Sequence, residues 1–362
     1  MATSTPDPSN TDGTGITVAG IGDGRRTRFT IEDVAAAAGV SVATVSRALR
    51  GLPNVADSTR TKVQQIADQL HYRADPAASR LAAGRSRSIA VAVPLLDGWY
   101  FSHVVAGIEA VCAEAGYDTI VIGLGTERTC VELLDGSDAL HRRADGVIVV
   151  DVALPADDLR RLREHGPALV AIGPVLDGAP SIGIDDVAVG HLATTHLLDL
   201  GHRRIGLIRG EIENPFGFVV PRLRQLGFER ALRSHGLEPD PALYVDGSFT
   251  IAGGYEAAER LLDRDDPPTA IFALSDEMAF GVVHAASDRG VRVPDDLSVI
   301  GVDDHDVAVV LGLSTVHQDA AQHGARAART MIAILDGQQV APGRHDDPIR
   351  LIHRTSTAPP RR

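Results

Sequence analysis

Four side chains in one short stretch have the types and spacing to meet a nucleic acid. Ala43, Ser46, Arg47 and Arg50 follow the i, i+3, i+4, i+7 pattern that gathers residues on one face of a helix. That face is small at its start and polar and cationic beyond. It suits close approach to a major groove, with guanidinium contact to guanine edges or phosphates. A second cluster stands at 99–101, where Trp99, the only tryptophan, is followed by Tyr100 and Phe101. In a chain with 4% aromatic residues, this concentration offers flat faces to the C–H side of a sugar ring or to a base. Catalytic patterns are thin. The sequence holds no Gly-x-Ser-x-Gly elbow, no phosphate-binding Walker loop, no His-Glu-x-x-His and no Gly-x-Gly-x-x-Gly after a strand, so no enzyme activity is expected. The fourteen histidines, His202 and His305 among them, read as surface or capping residues. Cys112 and Cys130 lack metal-ligand or disulfide spacing, and neither a metal nor a cofactor is expected.

The elements that must carry the first cluster are legible. Thr30 with Asp33 makes a capping-box pattern, Gly39 can end the first helix in a left-handed conformation, and Ser41 can cap the second. Val45, Ala48 and Leu49 form the packing stripe opposite the polar face, and Val63, Ile66, Ala67 and Leu70 outline a third helix that covers the pair. An ordinary three-helix cap domain shares these elements. Charge adds a distinction. The whole chain carries -13, which taken alone argues against a polyanionic partner. Residues 1–24 carry -3, residues 25–87 carry +6, and the remainder carries -16, so one basic segment is attached to an acidic body. The opening stretch is rich in Ser, Thr, Pro, Asp and Gly and reads as a disordered tail. Residues 74–84 start with Asp75 and Pro76 and close at Gly84, giving about two helical turns, too few to be stable alone.

Beyond residue 88, apolar runs at 89–93, 119–122, 146–150, 169–172, 205–208, 270–274 and 297–302 alternate with helical patterns such as 101–115, 186–200, 222–234 and 276–288. Such alternation predicts parallel sheets covered by helices, and the length of the segment predicts two sub-domains. Ligands of open parallel sheets bind beyond the carboxyl ends of the strands, which is where residues 99–101 fall. No apolar run reaches membrane-spanning length and the first 24 residues lack the layout of a secretory signal, so a cytoplasmic address is expected.

From Phe29 onward, and most specifically over residues 33–51 and the hinge segment after them, the chain resembles transcriptional regulators of the lactose repressor/galactose repressor (LacI/GalR) family. The resemblance implies an α/β fold. An N-terminal all-α helix-turn-helix headpiece precedes a type I periplasmic-binding-protein-like core of two α/β/α sub-domains. It implies a tail at 1–27, a headpiece at 28–73, a hinge helix and linker at 74–87 and a core at 88–362. Within the core, the first sub-domain takes about 88–187 and 318–345 and the second about 188–317 and 346–357, with crossings near 187, 317 and 345.

By position, Val42, Ala43 and Arg47 would read bases, and Thr30, Ser41, Thr44, Ser46, Arg50 and Asn54 would lie near the DNA backbone. In the hinge, Ala78 and Leu81 would meet the minor groove, Leu81 as the wedge. The resemblance further implies an effector site with Trp99, Tyr100, Arg224, Phe249, Ser275 and Asp303. Arg224 and Asp303 would take hydroxyls there, while Asp304 would be structural. Gly173 stands where the lactose repressor has an Asp, so hydroxyl recognition must differ. The expected partners are a pseudo-palindromic double-stranded operator, a saccharide effector and a second copy of the chain, with no membrane. A nucleoside or purine effector, a phosphorylated sugar, or a sugar-binding protein without regulatory function stand as alternatives.

Overall fold

A computed structural model describes residues 29–72, 86–124, 140, 143–152, 157, 159–160, 168–212 and 217–361. The chain divides into two compact units near Ala82. The tail, most of the hinge with Ala78 and Leu81, and Cys130 lie outside the described residues. Among the described residues, no helix is long and apolar enough to cross a membrane.

The first unit holds α1 (Ile31–Ala38), α2 (Val42–Leu49) and α3 (Asp57–Gln69). Thr30 and Asp33 close a reciprocal capping box on α1, and Gly39 ends it at φ 66°, a left-handed geometry that glycine adopts without a Cβ penalty. The Ser41 hydroxyl accepts from the Thr44 amide to start α2. Val34, Ala38, Val45, Ala48, Val63 and Ala67 form a small buried core, mostly of short side chains, that draws the three helices close.

The second unit contains two six-stranded sheets. The first runs in the order β11 (Gly343–Asp346), β5 (Pro180–Gly183), β4 (Ala168–Ile172), β3 (Gly146–Val150), β1 (Ser88–Val93) and β2 (Asp118–Gly123), all parallel. The second repeats this topology with β12 (Arg350–Ile352), β10 (Ser314–His317), β9 (Ser298–Asp303), β8 (Ala270–Ala273), β6 (Ile205–Arg209) and β7 (Tyr244–Asp246), in which only β12 is antiparallel. The central strands are buried along their length, in keeping with their near-continuous apolar runs. The chain passes between the sheets at 184–185, 318–319 and 347–349. The third passage comes later than 345, because Asp346 still pairs with Gly183 of the first sheet.

Helices α4 (Trp99–Glu114) and α10 (Ala320–Leu335) cover the first sheet; α5 (Asp186–Asp199), α6 (Val220–Ser234), α7 (Ile251–Leu262) and α8 (Asp276–Asp288) cover the second. A short α9 (Asp306–Leu311) follows β9. Three helix pairs cross at facing glycines: Gly107 with Gly324, Gly190 with Gly227, and Gly254 with Gly281. A Cβ at any of these six positions would stand 2.0 to 2.2 Å from a backbone carbonyl oxygen of the partner helix. His202 is neither surface nor cap. It is buried, with Nδ1 at 2.9 Å from Thr269 and Nε2 at 2.9 Å from the Ala358 carbonyl, and burial holds its pKa down. His305 does cap α9, accepting from the Val307 amide.

Candidate DNA-reading helix and effector cleft

In the headpiece, Ser41, Val42, Ala43, Arg47 and Arg50 are exposed, and Thr44 and Ser46 are half-buried on the same helix. Arg50 donates to the Ser46 carbonyl, whereas Arg47 makes no hydrogen bond or ion pair among the described residues. Arg60 ties the chain after α2 by donating to the carbonyls of Ala48 and Leu52, and Asn54 follows with φ 67°. Thr30 is exposed at the start of α1. The helix therefore offers an exposed guanidinium and an apolar leading edge, Val42 and Ala43, with its packing stripe turned inward.

In the core, strand ends and helix starts from both sheets converge on a cavity of about 230 Å³. Tyr100, Phe101, Asp151 and Gly173 line it from the first sub-domain; Asp186, Arg224, Phe249, Ser275 and Asp303 line it from the second. Arg224 is buried on α6. Its Nε donates to Asp186 Oδ1 at 2.9 Å and its Nη1 to the Leu274 carbonyl at 2.6 Å. The crossing at Gly190 and Gly227 brings the backbones of α5 and α6 close enough for this pair to form. Burial nevertheless raises the pKa of Asp186, since desolvation outweighs the guanidinium beside it.

Asp303 ends β9 with φ 121° and accepts from Gln318 Nε2 at 2.6 Å. Asp276 lies close by, fully buried, and accepts from the His305 amide at 2.9 Å. Burial raises both acids, helped at Asp276 by repulsion from Asp303 and at Asp303 by repulsion from Glu277, so each holds a proton more readily than a free carboxylate does. Asp304 is bonded to His317 and Arg354 and holds the structure there, as the sequence implied. Ser275 caps α8 through the Met278 amide while lining the cavity. The ring of Phe249, at φ 53°, occupies the space a Cβ at Gly210 would need and meets Phe218 edge-on at 5.5 Å.

One expectation changes. Trp99 does not line the cavity: its indole stacks between His103 at 4.1 Å and His305 at 5.0 Å, and its neighbours Tyr100 and Phe101 face the cavity instead. The acids Asp151, Asp186, Glu211 and Glu277 and the amide of Gln318 also line it, although the sequence reading did not single them out. Asp151 directly follows β3, so the strand-end rule that drew attention to residues 99–101 applies to it equally.

Residues 30–75 match the bacterial regulatory proteins of the lacI family, and residues 194–357 match a periplasmic binding protein-like domain. Catabolite control protein A of Priestia megaterium is 33% identical over 333 residues, covering 91% of this chain and 99% of that protein. The chain belongs to the LacI family of transcriptional regulators. The HTH-type transcriptional repressor CytR of Escherichia coli K12 is likewise 33% identical, over 92% of this chain and 97% of its own. Among solved structures, a lac repressor dimer bound to operator and the anti-inducer ONPF superposes with a TM-score of 0.79 at 28% identity, covering 92% of this chain and all of that one. A complex of the regulator CelR with cellobiose gives 0.67 at 28% identity over 91% of this chain and all of its own. This LacI-family chain is thus an effector-controlled regulator of transcription with a helix-turn-helix headpiece and a two-sheet core.

Proposed function

We propose that this regulator is a homodimeric repressor of a pseudo-palindromic operator, and that a saccharide bound in the core cleft controls its affinity for DNA. The cleft carries the reading. Arg224 held by Asp186, Asp303 held by Gln318, and aromatic walls from Tyr100 and Phe249 form the polar and stacking set that a hydroxylated ring requires. The five acids lining the cleft, Asp151, Asp186, Glu211, Glu277 and Asp303, disfavour a phosphorylated sugar. The edge-on pair of Phe218 and Phe249 favours a nucleoside as the second reading.

In the headpiece we assign base contact to Val42, Ala43 and Arg47 and backbone contact to Thr30, Ser41, Thr44, Ser46, Arg50 and Asn54. Ala78 and Leu81 of the hinge are assigned to the minor groove. Binding alone, without a reaction, accounts for these assignments, and a DNA partner goes with a cytoplasmic address. The relatives' names support the same reading: the lac repressor structure is a dimer on its operator, and CelR is complexed with cellobiose.

The test is selection of the full-length protein's preferred duplex from a random pool, followed by gel shifts on that duplex with sugars and nucleosides added. Enrichment of a two-fold symmetric site, released or tightened by a sugar, is the expected result. Failure to enrich any sequence overturns the regulator reading. Response to nucleosides alone replaces the saccharide with the second reading.

A further inference from the structure

Among the described lining residues, the acids of the cleft outnumber the bases. Five carboxyl groups line it against one guanidinium among the described lining residues, and that one, Arg224, is already taken by Asp186 and the Leu274 carbonyl. Asp303 has Gln318 as its donor, and Glu277 faces the Trp99 amide at 3.4 Å. Asp151 has nothing comparable. Only 5% exposed, it lines the cavity from the end of β3, and among the described residues its carboxyl has no hydrogen-bond donor.

Its placement is built in. Asp151 sits at φ 51°, with its amide donating to the Ile172 carbonyl, and its Oδ1 fills the space beside Gly173. A Cβ at 173 would stand 1.9 Å from that oxygen, and Gly173 itself has φ 95°, a conformation that disfavours any side chain. The first sub-domain therefore brings its acid to this wall from β3, and the end of β4 is kept bare to receive it.

The charged groups around Asp151 are Asp186, Arg224, Arg344 and Asp303, with the phenol of Tyr100 nearby. Arg344 is engaged with the carbonyls of Gly173 and Ile184 and with Asp346. Each nearby guanidinium is thus bound elsewhere, and a buried carboxylate left without a donor is costly unless a proton or a cation arrives.

We propose that Asp151 is a specificity-determining acid of the cleft and that the effector is an amino sugar whose protonated amine lies against it. The proposal rests on the reading of this cleft as a saccharide site and names the class of sugar. A hydroxyl would donate to Asp151 without balancing its charge, whereas an ammonium group supplies both donors and charge. Burial, then repulsion by Asp186, pushes the Asp151 carboxyl up to about 8, so at neutral pH the empty cleft carries a proton there. Binding of the ammonium form releases that proton to solvent.

The test uses full-length protein and matched sets: D-glucosamine, D-galactosamine and D-mannosamine, their parent hexoses and the hexose 6-phosphates. Isothermal titration is run at pH 6 and 7 in buffers of different ionisation enthalpy. At least one amino sugar is expected to bind tenfold or more tighter than its parent, with net proton release, and to gain about tenfold in affinity between pH 6 and 7. Asp151→Asn brings that amino sugar down to the level of the parent hexose. Equal or tighter binding of a parent hexose or phosphate overturns the proposal, as does binding by none of the amino sugars. A neutral hexose that alters DNA binding would sink the amine while leaving the regulator standing, because the selection of a duplex is measured without any sugar.

Discussion

The indole of Trp99, at the start of α4 in the first sub-domain, stacks 5.0 Å from the imidazole of His305, which follows β9 in the second. The Trp99 amide also faces Glu277 of α8 at 3.4 Å, so two contacts from one residue span the cleft mouth. Opening the cleft must separate these rings, and a ligand bound between the sheets must favour the stacked arrangement. As the only tryptophan, Trp99 reports on this alone. Ligand-saturated and ligand-free protein should differ in tryptophan emission, and His305→Ala should remove at least half of the difference. An undiminished ligand response in that variant would show that the stack does not report closure.

Arg224→Ala should silence the effector without silencing the headpiece. The substitution leaves Asp186 buried with no guanidinium and frees the Leu274 carbonyl, a loss of roughly 3–5 kcal/mol for a buried pair. For a domain of this size that corresponds to a fall in melting temperature of about 10 °C. Calorimetry should show the drop, and gel shifts should show duplex affinity within threefold of wild type but no longer altered by effector. Arg224→Lys should repair little, because one ammonium cannot reproduce the fork that reaches both acceptors.

The parts of the fold legible in the sequence are those where local pattern and burial agree. The runs at 89–93, 146–150 and 297–302 are central strands with no polar face, and the capping box at Thr30 is a local hydrogen-bond pattern. Strands β5, β7, β10, β11 and β12 are three or four residues long, and β11 reads Gly-Arg-His-Asp. Only its parallel pairing with β5 makes it a strand, and no local signal encodes that. In the cleft, Tyr100 and Phe101 line the cavity and Trp99 does not, because successive helical residues point about 100° apart and a run of three aromatics cannot all face one cavity. The pairing of Asp186 with Arg224 joins residues 38 positions apart through the Gly190 and Gly227 crossing, a relation visible only in three dimensions.

Arg47 is the exposed cation of α2 without a bond to its own chain among the described residues, and its loss should cost sequence discrimination rather than general affinity. A bidentate contact to a base is worth about 1–3 kcal/mol, so Arg47→Ala should weaken the selected duplex by about ten- to a hundredfold. Binding to unrelated duplex and the slope of affinity against salt should hardly move. A uniform loss on all sequences, with a salt slope reduced by about one, would make Arg47 a phosphate contact instead.

Asp151 should make the ligand-free protein less stable as pH rises. Its carboxyl is pushed from the ordinary aspartate range up to about 8 on folding, so between about 4 and 8 the folded state holds a proton that the unfolded state has given up. Stability from this group is fully present below the ordinary value and is lost as pH climbs through about 8. His202 and His323, whose pKa values burial lowers, act in the opposite direction over lower pH, so the wild-type curve alone mixes the contributions. The difference between Asp151→Asn and wild type isolates this one. Asn keeps the shape beside Gly173 and carries no charge, so the variant should melt at a higher temperature than wild type at pH 8 and lose most of that advantage at pH 5. An equal difference at both pH values would mean that Asp151 stays ionised in the empty cleft and already has a counter-charge.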